Sequence, residues 1–168
     1  FVAKDGRKIE LEGSCSISDG EHPIAHGIFR DVTEHKKTER QLLYSEEMYR
    51  SLVESTENSI YLFDKDYKYL FMNKHHMARL GVTGGDYTGK TYRYFHSKED
   101  SDIFAKLLDK VFETGESLQQ EYDLPEKERH FLRTLSPVLD KTGNVTAVTV
   151  VSKNITDRKK FEYELLIN

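Results

Sequence analysis

The sequence predicts an α+β fold, an antiparallel sheet with its helices gathered on one face. The order of elements is the first reason. Two short β-prone runs (59–63 and 69–72) precede a helical middle, and three longer strand candidates (118–124, 129–139 and 145–153) come after it. Strands and helices grouped this way, with hairpin-length connections, belong to this class rather than to an alternating parallel sheet. The second reason is the helix that begins at Ser97, whose single apolar stripe needs cover that the strands can supply. The third is composition. With 168 residues, 37% of them apolar and 11% aromatic, the chain can build a core, so wholesale disorder is not expected.

The first two runs, SIYLF and YLFM, flank Asp64-Lys65-Asp66, which suits a hairpin turn. Asn73 stands where an N-cap belongs, ahead of a short helical stretch from Lys74 to Leu80. Gly81, Gly84, Gly85 and Gly89 interrupt the chain beyond that stretch and leave room for one or two short helical turns. Ser97 and Asp100 then have capping-box spacing. Ile103, Phe104, Leu107, Leu108, Val111 and Phe112 form the stripe at i, i+3, i+4 and i+7, and Gly115 supplies a left-handed stop. The last three strands connect through residues 125–128 and 140–144, both hairpin-like. Thr156 can cap a final helix carrying Phe161, Leu165 and Leu166.

An internal repeat changes the expected domain count. DVTEHKKTERQLL (31–43) and NITDRKKFEYELL (154–166) align at an offset of 123 residues. Thr33 meets Thr156, Lys36 and Lys37 meet Lys159 and Lys160, and Glu39 meets Glu162. Leu42 and Leu43 meet Leu165 and Leu166, and upstream Gly20 meets Gly143. The chain is therefore expected to hold one full period preceded by the 45-residue tail of another.

Charge and cysteine usage narrow the function classes. The 25 Lys+Arg and 29 Asp+Glu give a formal net charge of −4, with the signs interspersed, so no basic stripe points to nucleic acid. No apolar run approaches the ~18 residues that span a bilayer, so no membrane contact by this segment is expected. Cys15 stands alone, which leaves neither an internal disulfide nor a thiolate metal cluster. The expectation is a soluble, cytoplasmic segment, whose parent protein can still be membrane-anchored.

Three motifs occur in a telling order: the strand–turn–strand ending at Asn73; Gly89-Lys90 followed by Phe95-His96-Ser97-Lys98-Glu99-Asp100; and the last strand running into Asn154-Ile155-Thr156-Asp157. In that order they resemble the PAS sensory domain family. Asp31-Val32-Thr33-Glu34 repeats the third motif and resembles the Asp-x-Thr signature of PAS exits more closely. Asn154 departs from it, giving up any ion pair an Asp makes there while keeping a hydrogen-bond acceptor. The resemblance implies a five-stranded antiparallel sheet with short helices and one long helix on one face, flanked by N- and C-terminal linker helices. It places the closing strands of a truncated upstream PAS domain at 1–33 and a linker helix at 34–50. A complete PAS domain comes next at 51–156, and the start of an exit linker helix at 157–168. It further implies a sensory and signal-relay module within a tandem, multidomain receptor of the histidine kinase (two-component) or cyclic-dinucleotide enzyme type. Asp31, Thr33, Asn154 and Thr156 would form its signal-relay motif. The sequence carries no phosphate-binding glycine motif, phosphoacceptor box or cyclase signature, so the chain is not expected to be an enzyme. The output domain is expected elsewhere in the parent chain.

The same resemblance locates a small-molecule pocket. In the light-oxygen-voltage branch a flavin-contacting residue lies two positions before the signature Asp, and Ser152 holds that place. Period-2 alternation then puts Val148, Val150 and Ser152 inside, with Tyr61 and Phe63 on the first strand, Phe131, Arg133 and Leu135 on the fourth, and Glu121 on the third. Tyr92 falls where that branch carries its photoactive cysteine, which excludes cysteinyl-flavin photochemistry; the cofactor is otherwise unknown. Tyr92, Tyr94, Phe95, Phe63, Phe71 and Phe131 either line a slot for a flat ligand or fill the space as a closed core. Arg133, if buried, needs a partner. It can grip a carboxylate or phosphate of a ligand, or pair across the strands with Glu121. Among the histidines, His75 and His76 are adjacent and point about 100° apart on a helix. His96 precedes a helix cap and His130 lies on a strand, so a turn role for His96 is preferred to metal or haem ligation.

Two segments allow alternatives. Leu42, Tyr49, Leu52 and Val53 share a helical stripe, with Glu46 and Arg50 at i,i+4, so the linker helix either forms a parallel homodimer or packs on its own domain. Residues 1–33 make a lone hairpin that is marginal in water, so they are expected to belong to a longer parent, with Phe29 aligned to Ser152. The competing function is a ligand-free structural PAS module for dimerisation and relay.

Overall fold

At the N-terminus β1 (Leu11–Ser18) and β2 (Ile24–Asp31) pair antiparallel from Leu11↔Asp31 to Ser18↔Ile24, and α1 (Thr33–Glu54) comes after them. The computed structural model describes residues 1–18, 24–124 and 128–167. Gly20 and most of the 125–128 connection therefore lie outside the described residues. The chain divides into two units, 1–51 and 52–168.

In the first unit Asp31 Oδ1 accepts from the Thr33 N–H at 2.9 Å and from the Thr33 hydroxyl at 2.6 Å. Thr33 Oγ1 in turn accepts from the Glu10 N–H at 2.8 Å, while the Val32 N–H donates to the Glu10 carbonyl. The Glu10 carboxylate meets Lys36 and Arg40 on the first turns of α1. The strand exit is thereby tied to the helix start by complementary short-range bonds. No residue of α1 is buried, and the helix is longer than the expected 34–50, running on to Glu54.

The second unit opens with β3 (Ser59–Phe63) and β4 (Tyr69–Met72), joined where Asp64 Oδ1 accepts from the Asp66 and Lys68 N–H groups at 2.9 Å. Asn73 then does more than cap α2 (Lys74–Leu80). From a fully buried position its Oδ1 accepts from the His76 and Ile60 N–H groups, and its amide donates to the Val53 and Asn58 carbonyls. One side chain thus joins the end of α1, β3 and α2. The glycine-rich stretch yields one short helix, α3 (Tyr92–Phe95), before α4 (Lys98–Thr114). Ser97 caps α4 as its spacing predicts, accepting from the Asp100 N–H, and Gly115 ends it at φ +67°, where a Cβ would be strained.

The last strands are β5 (Leu118–Leu124), β6 (Arg129–Leu139) and β7 (Val145–Asn154), succeeded by α5 (Thr156–Ile167). The five strands of this unit pair antiparallel in the order β4-β3-β7-β6-β5. The core forms where β3, β6 and β7 meet α4: Tyr61, Phe63, Leu135, Val148 and Val150 against Phe104, Leu108 and Val111. The exit knot recurs here. Asn154 Oδ1 accepts from the Thr156 N–H at 2.9 Å and hydroxyl at 2.6 Å, and Thr156 Oγ1 accepts from the His130 N–H at 3.0 Å. Asn at 154 serves as acceptor in the way Asp31 does. No helix among the described residues is long and apolar enough to cross a membrane.

Candidate functional site

Strand alternation decides which side chains meet the helices. Tyr61, Phe63, Phe131, Arg133, Leu135, Val148, Val150 and Ser152 are all buried, on the parity that alternation predicts. β5 departs from the expectation. Its register sets Gln120 opposite Arg133 and Tyr122 opposite Phe131, so the even-numbered residues share their face and Glu121 points away. The Glu121 side chain is 44% exposed and pairs with Lys159 at 2.6 Å and Arg158 at 3.2 Å, so the cross-strand pair with Arg133 does not form. The signal was present in LQQEYDL: its apolar members, Leu118, Tyr122 and Leu124, all carry even numbers.

Most of the inner face is closed. Tyr61, Phe63, Leu135, Val148 and Val150 have no exposed surface. Their neighbours interlock as rings, with Phe63 and Tyr69 centroids 4.3 Å apart and Tyr92 and Phe104 4.1 Å apart. Tyr61, Phe63, Leu135, Val148 and Val150 thus fill the core. Phe95 packs edge-on against Tyr69, and Tyr94 is exposed under the Lys90 ammonium.

Open space lies instead at the β5–β6 side. A cavity of about 300 Å³ is bordered by Arg79 of α2, Tyr92 of α3, His96, Ile103 of α4, Tyr122 of β5 and Arg133 of β6. A second, of about 480 Å³, reaches Phe131, Ser152 and Asn154, and Arg79 borders both. Of the expected pocket residues, Tyr92 and Arg133 thus face the first cavity and Phe131 and Ser152 the second.

Two cations converge there. The Arg133 guanidinium lies 4.1 Å from the Tyr122 ring centroid and 4.6 Å from that of Phe104, and Nη2 donates to the Tyr92 hydroxyl at 3.3 Å. Its Nε has no partner. Burial by itself would lower its pKa, but the Tyr61, Tyr92 and Tyr122 hydroxyls outweigh that, and the group stays charged. Arg79 Nη1 donates to the Tyr122 hydroxyl at 3.2 Å, which also shares a hydrogen bond with Ser152 Oγ at 2.8 Å. Burial pushes the Tyr122 phenol up, and the charges of Arg79 and Arg133 more than reverse this, leaving it below the ordinary value.

The histidines take separate roles. His96 stacks on Tyr92 at 3.7 Å, and its Nδ1–H donates to the Tyr92 carbonyl; burial brings its pKa down to about 4. His76 is fully buried against Tyr61, with neither ring nitrogen partnered, and burial brings it to about 2. His130 meets Asp123 at the surface, and His75 is exposed. Among the described residues no group of His, Cys, Asp and Glu is placed to hold a metal ion. Sequence reasoning missed Arg79 and Tyr122, and weighed His76 only as a metal or haem ligand. Arg79 and His76 stand three apart on α2, which puts them on neighbouring positions of one helix face.

A family model described as PAS fold matches residues 53–160. No curated protein matches the chain. Among solved structures, the PAS domain of BvgS from Bordetella pertussis superposes with a TM-score of 0.59 at 25% identity, covering 72% of this chain and 93% of that one. A sensory box sensor histidine kinase from Vibrio cholerae superposes with a TM-score of 0.54 at 15% identity, covering 71% and 98%. The VqmA–ligand–DNA complex of Vibrio cholera gives 0.56 at 18% identity, covering 64% of this chain and 50% of that one.

Proposed function

The chain belongs to the PAS fold family and is a sensory signalling module, and from that premise we propose that it senses a small molecule in the cavity bordered by Arg79, Tyr122 and Arg133. Occupancy is relayed through β7 into α5. One observation carries this reading. Tyr122 borders the cavity and hydrogen-bonds Ser152, and two residues further along β7 Asn154 holds the Thr156 cap of α5. A ligand that moves the Tyr122 hydroxyl changes a bond on the strand that starts the exit helix, which gives binding a mechanical route outward.

The recurrence of the exit knot at Asp31 and Thr33 supports reading residues 1–33 as the closing strands of an upstream PAS domain in a longer receptor. In that parent, of histidine kinase or cyclic-dinucleotide enzyme type, the chemistry belongs to an output domain and this segment is not an enzyme. The exposed Leu42, Tyr49 and Leu52 of α1 support a homodimer through the linker helices. The interspersed charges argue for a cytoplasmic segment that does not itself touch nucleic acid, although the VqmA match is to a DNA complex.

The closed core around Tyr61 and Phe63 favours a second reading, a ligand-free module that only dimerises and relays. Native mass spectrometry of freshly purified protein separates the two. Ligand sensing predicts an added small-molecule mass that an Ile103→Trp variant, with its cavity filled, no longer carries. A clean polypeptide mass that stays clean after incubation with a metabolite extract contradicts it.

A further inference from the structure

Arg79 and Arg133 bring two positive charges to one cavity, and no described carboxylate pairs with either. The nearby acidic groups have other partners: Glu121 meets Lys159 and Arg158 on the outer face, Asp123 meets His130, and Asp100 accepts from the Ser97 hydroxyl. Arg133 is only 6% exposed, its Nε is without a partner, and its Nη2 donates to a neutral hydroxyl, that of Tyr92. Ring faces recover part of the cost of burying a guanidinium, but a counter-charge is what completes such a site.

From this geometry we propose that the cavity binds a small organic monoanion, a carboxylate on an apolar body, with the carboxylate held between the Arg79 and Arg133 guanidinia beside the Tyr122 hydroxyl. The proposal rests on the ligand-sensing reading above and names the class of ligand. Planar guanidinium forks match a planar carboxylate. Asp100 and Asp123 also border the cavity, so a phosphate dianion meets more repulsion there than a single negative charge does. The remaining wall is mostly apolar: Leu80, Ile103, Leu124 and the stacked rings of Tyr92 and His96, with burial keeping that imidazole neutral, and Gln120 as its one polar side chain. At about 300 Å³ the space lies at the small end of ligand sites, which suits a body of about one ring.

Titration of the whole 168-residue protein with sodium phenylacetate and with phenylacetamide, its neutral counterpart, tests this by calorimetry and thermal unfolding at pH 7. The acid is expected to bind and raise the melting temperature, and the amide to bind at least about ten-fold more weakly, the loss of one charge-assisted contact. Arg79→Gln, at a half-buried position on the last turn of α2, weakens the acid by about ten-fold or more and the amide by much less. Arg133→Lys keeps the charge but not the fork, and weakens the acid likewise. Equal affinities for acid and amide, or an Arg79→Gln variant that binds the acid as the parent does, overturn the monoanion while leaving ligand sensing intact. Potassium phosphate binding as tightly as phenylacetate overturns the apolar body. Binding of neither organic probe overturns the inference as well, and ligand sensing is then judged on the native mass alone.

Discussion

Arg133 and His76 are both buried ionisable groups with unpartnered nitrogens, and they meet that situation in opposite ways. Arg133 stays charged and gathers ring faces around itself. His76 gives up its proton, and that makes folding pH-dependent. Above pH 6.5 both folded and unfolded states hold it neutral. As pH falls, the unfolded chain takes up the proton at its ordinary value, while the folded chain refuses it down to about 2. Stability therefore declines below pH 6.5, by up to ~1.4 kcal/mol per pH unit from this residue. His96, held at about 4, adds to the slope over the upper part of that window. His76→Phe keeps the stack on Tyr61 and removes the titration. Urea unfolding between about pH 6 and 4.5 is expected to show a slope shallower by about one proton in this variant, and an unchanged slope counts against the burial argument. At this scale the sequence exposed only part of the site. Arg133 was legible as an inward residue because strand parity places it. Its neighbour Tyr122 was missed although the even positions of Leu118, Tyr122 and Leu124 mark the β5 parity, because only those three of the seven residues carry that mark.

Elements with strong local signals match their sequence reading closely. α4 has a capping serine, an apolar stripe and a glycine stop, each read from neighbours a few residues away, and all appear where expected except Ile103 of the stripe, which is 53% exposed. The exit motif was legible as a repeat, but its bonding was not, since the third partner comes from another strand. The Thr-to-strand separation is 23 residues at Thr33 and 26 at Thr156, so the later hairpin is three residues longer around the same knot. A fixed offset cannot track such a change. Thr156→Val leaves the half-buried His130 N–H without its acceptor, and is expected to cost about 1–2 kcal/mol in urea unfolding. Thr156→Ser keeps the hydroxyl and recovers most of that. A serine variant no more stable than the valine one would show that the methyl group, and not the bonding, matters.

For the whole molecule, the proposed function turns on two parts, the linker helix and the relay into α5. α1 has no buried residue and holds Leu42, Tyr49 and Leu52 in the open, as expected of a helix that meets a second copy. Sedimentation of the protein is predicted to give a dimer mass, and a Leu42→Glu/Tyr49→Glu variant a monomer with unchanged secondary structure. A monomeric parent at tens of micromolar contradicts the dimer helix. On the proposed reading, Tyr122 and Ser152 are the joint through which the cavity would act on α5. Amide hydrogen exchange over residues 154–167, with and without saturating phenylacetate, tests that joint most directly. The prediction is that exchange at the start of α5 changes on binding in the parent protein, and that the change is lost in Tyr122→Phe even at saturation. Exchange that alters only around β5 and β6, with α5 indifferent to the ligand, would contradict it.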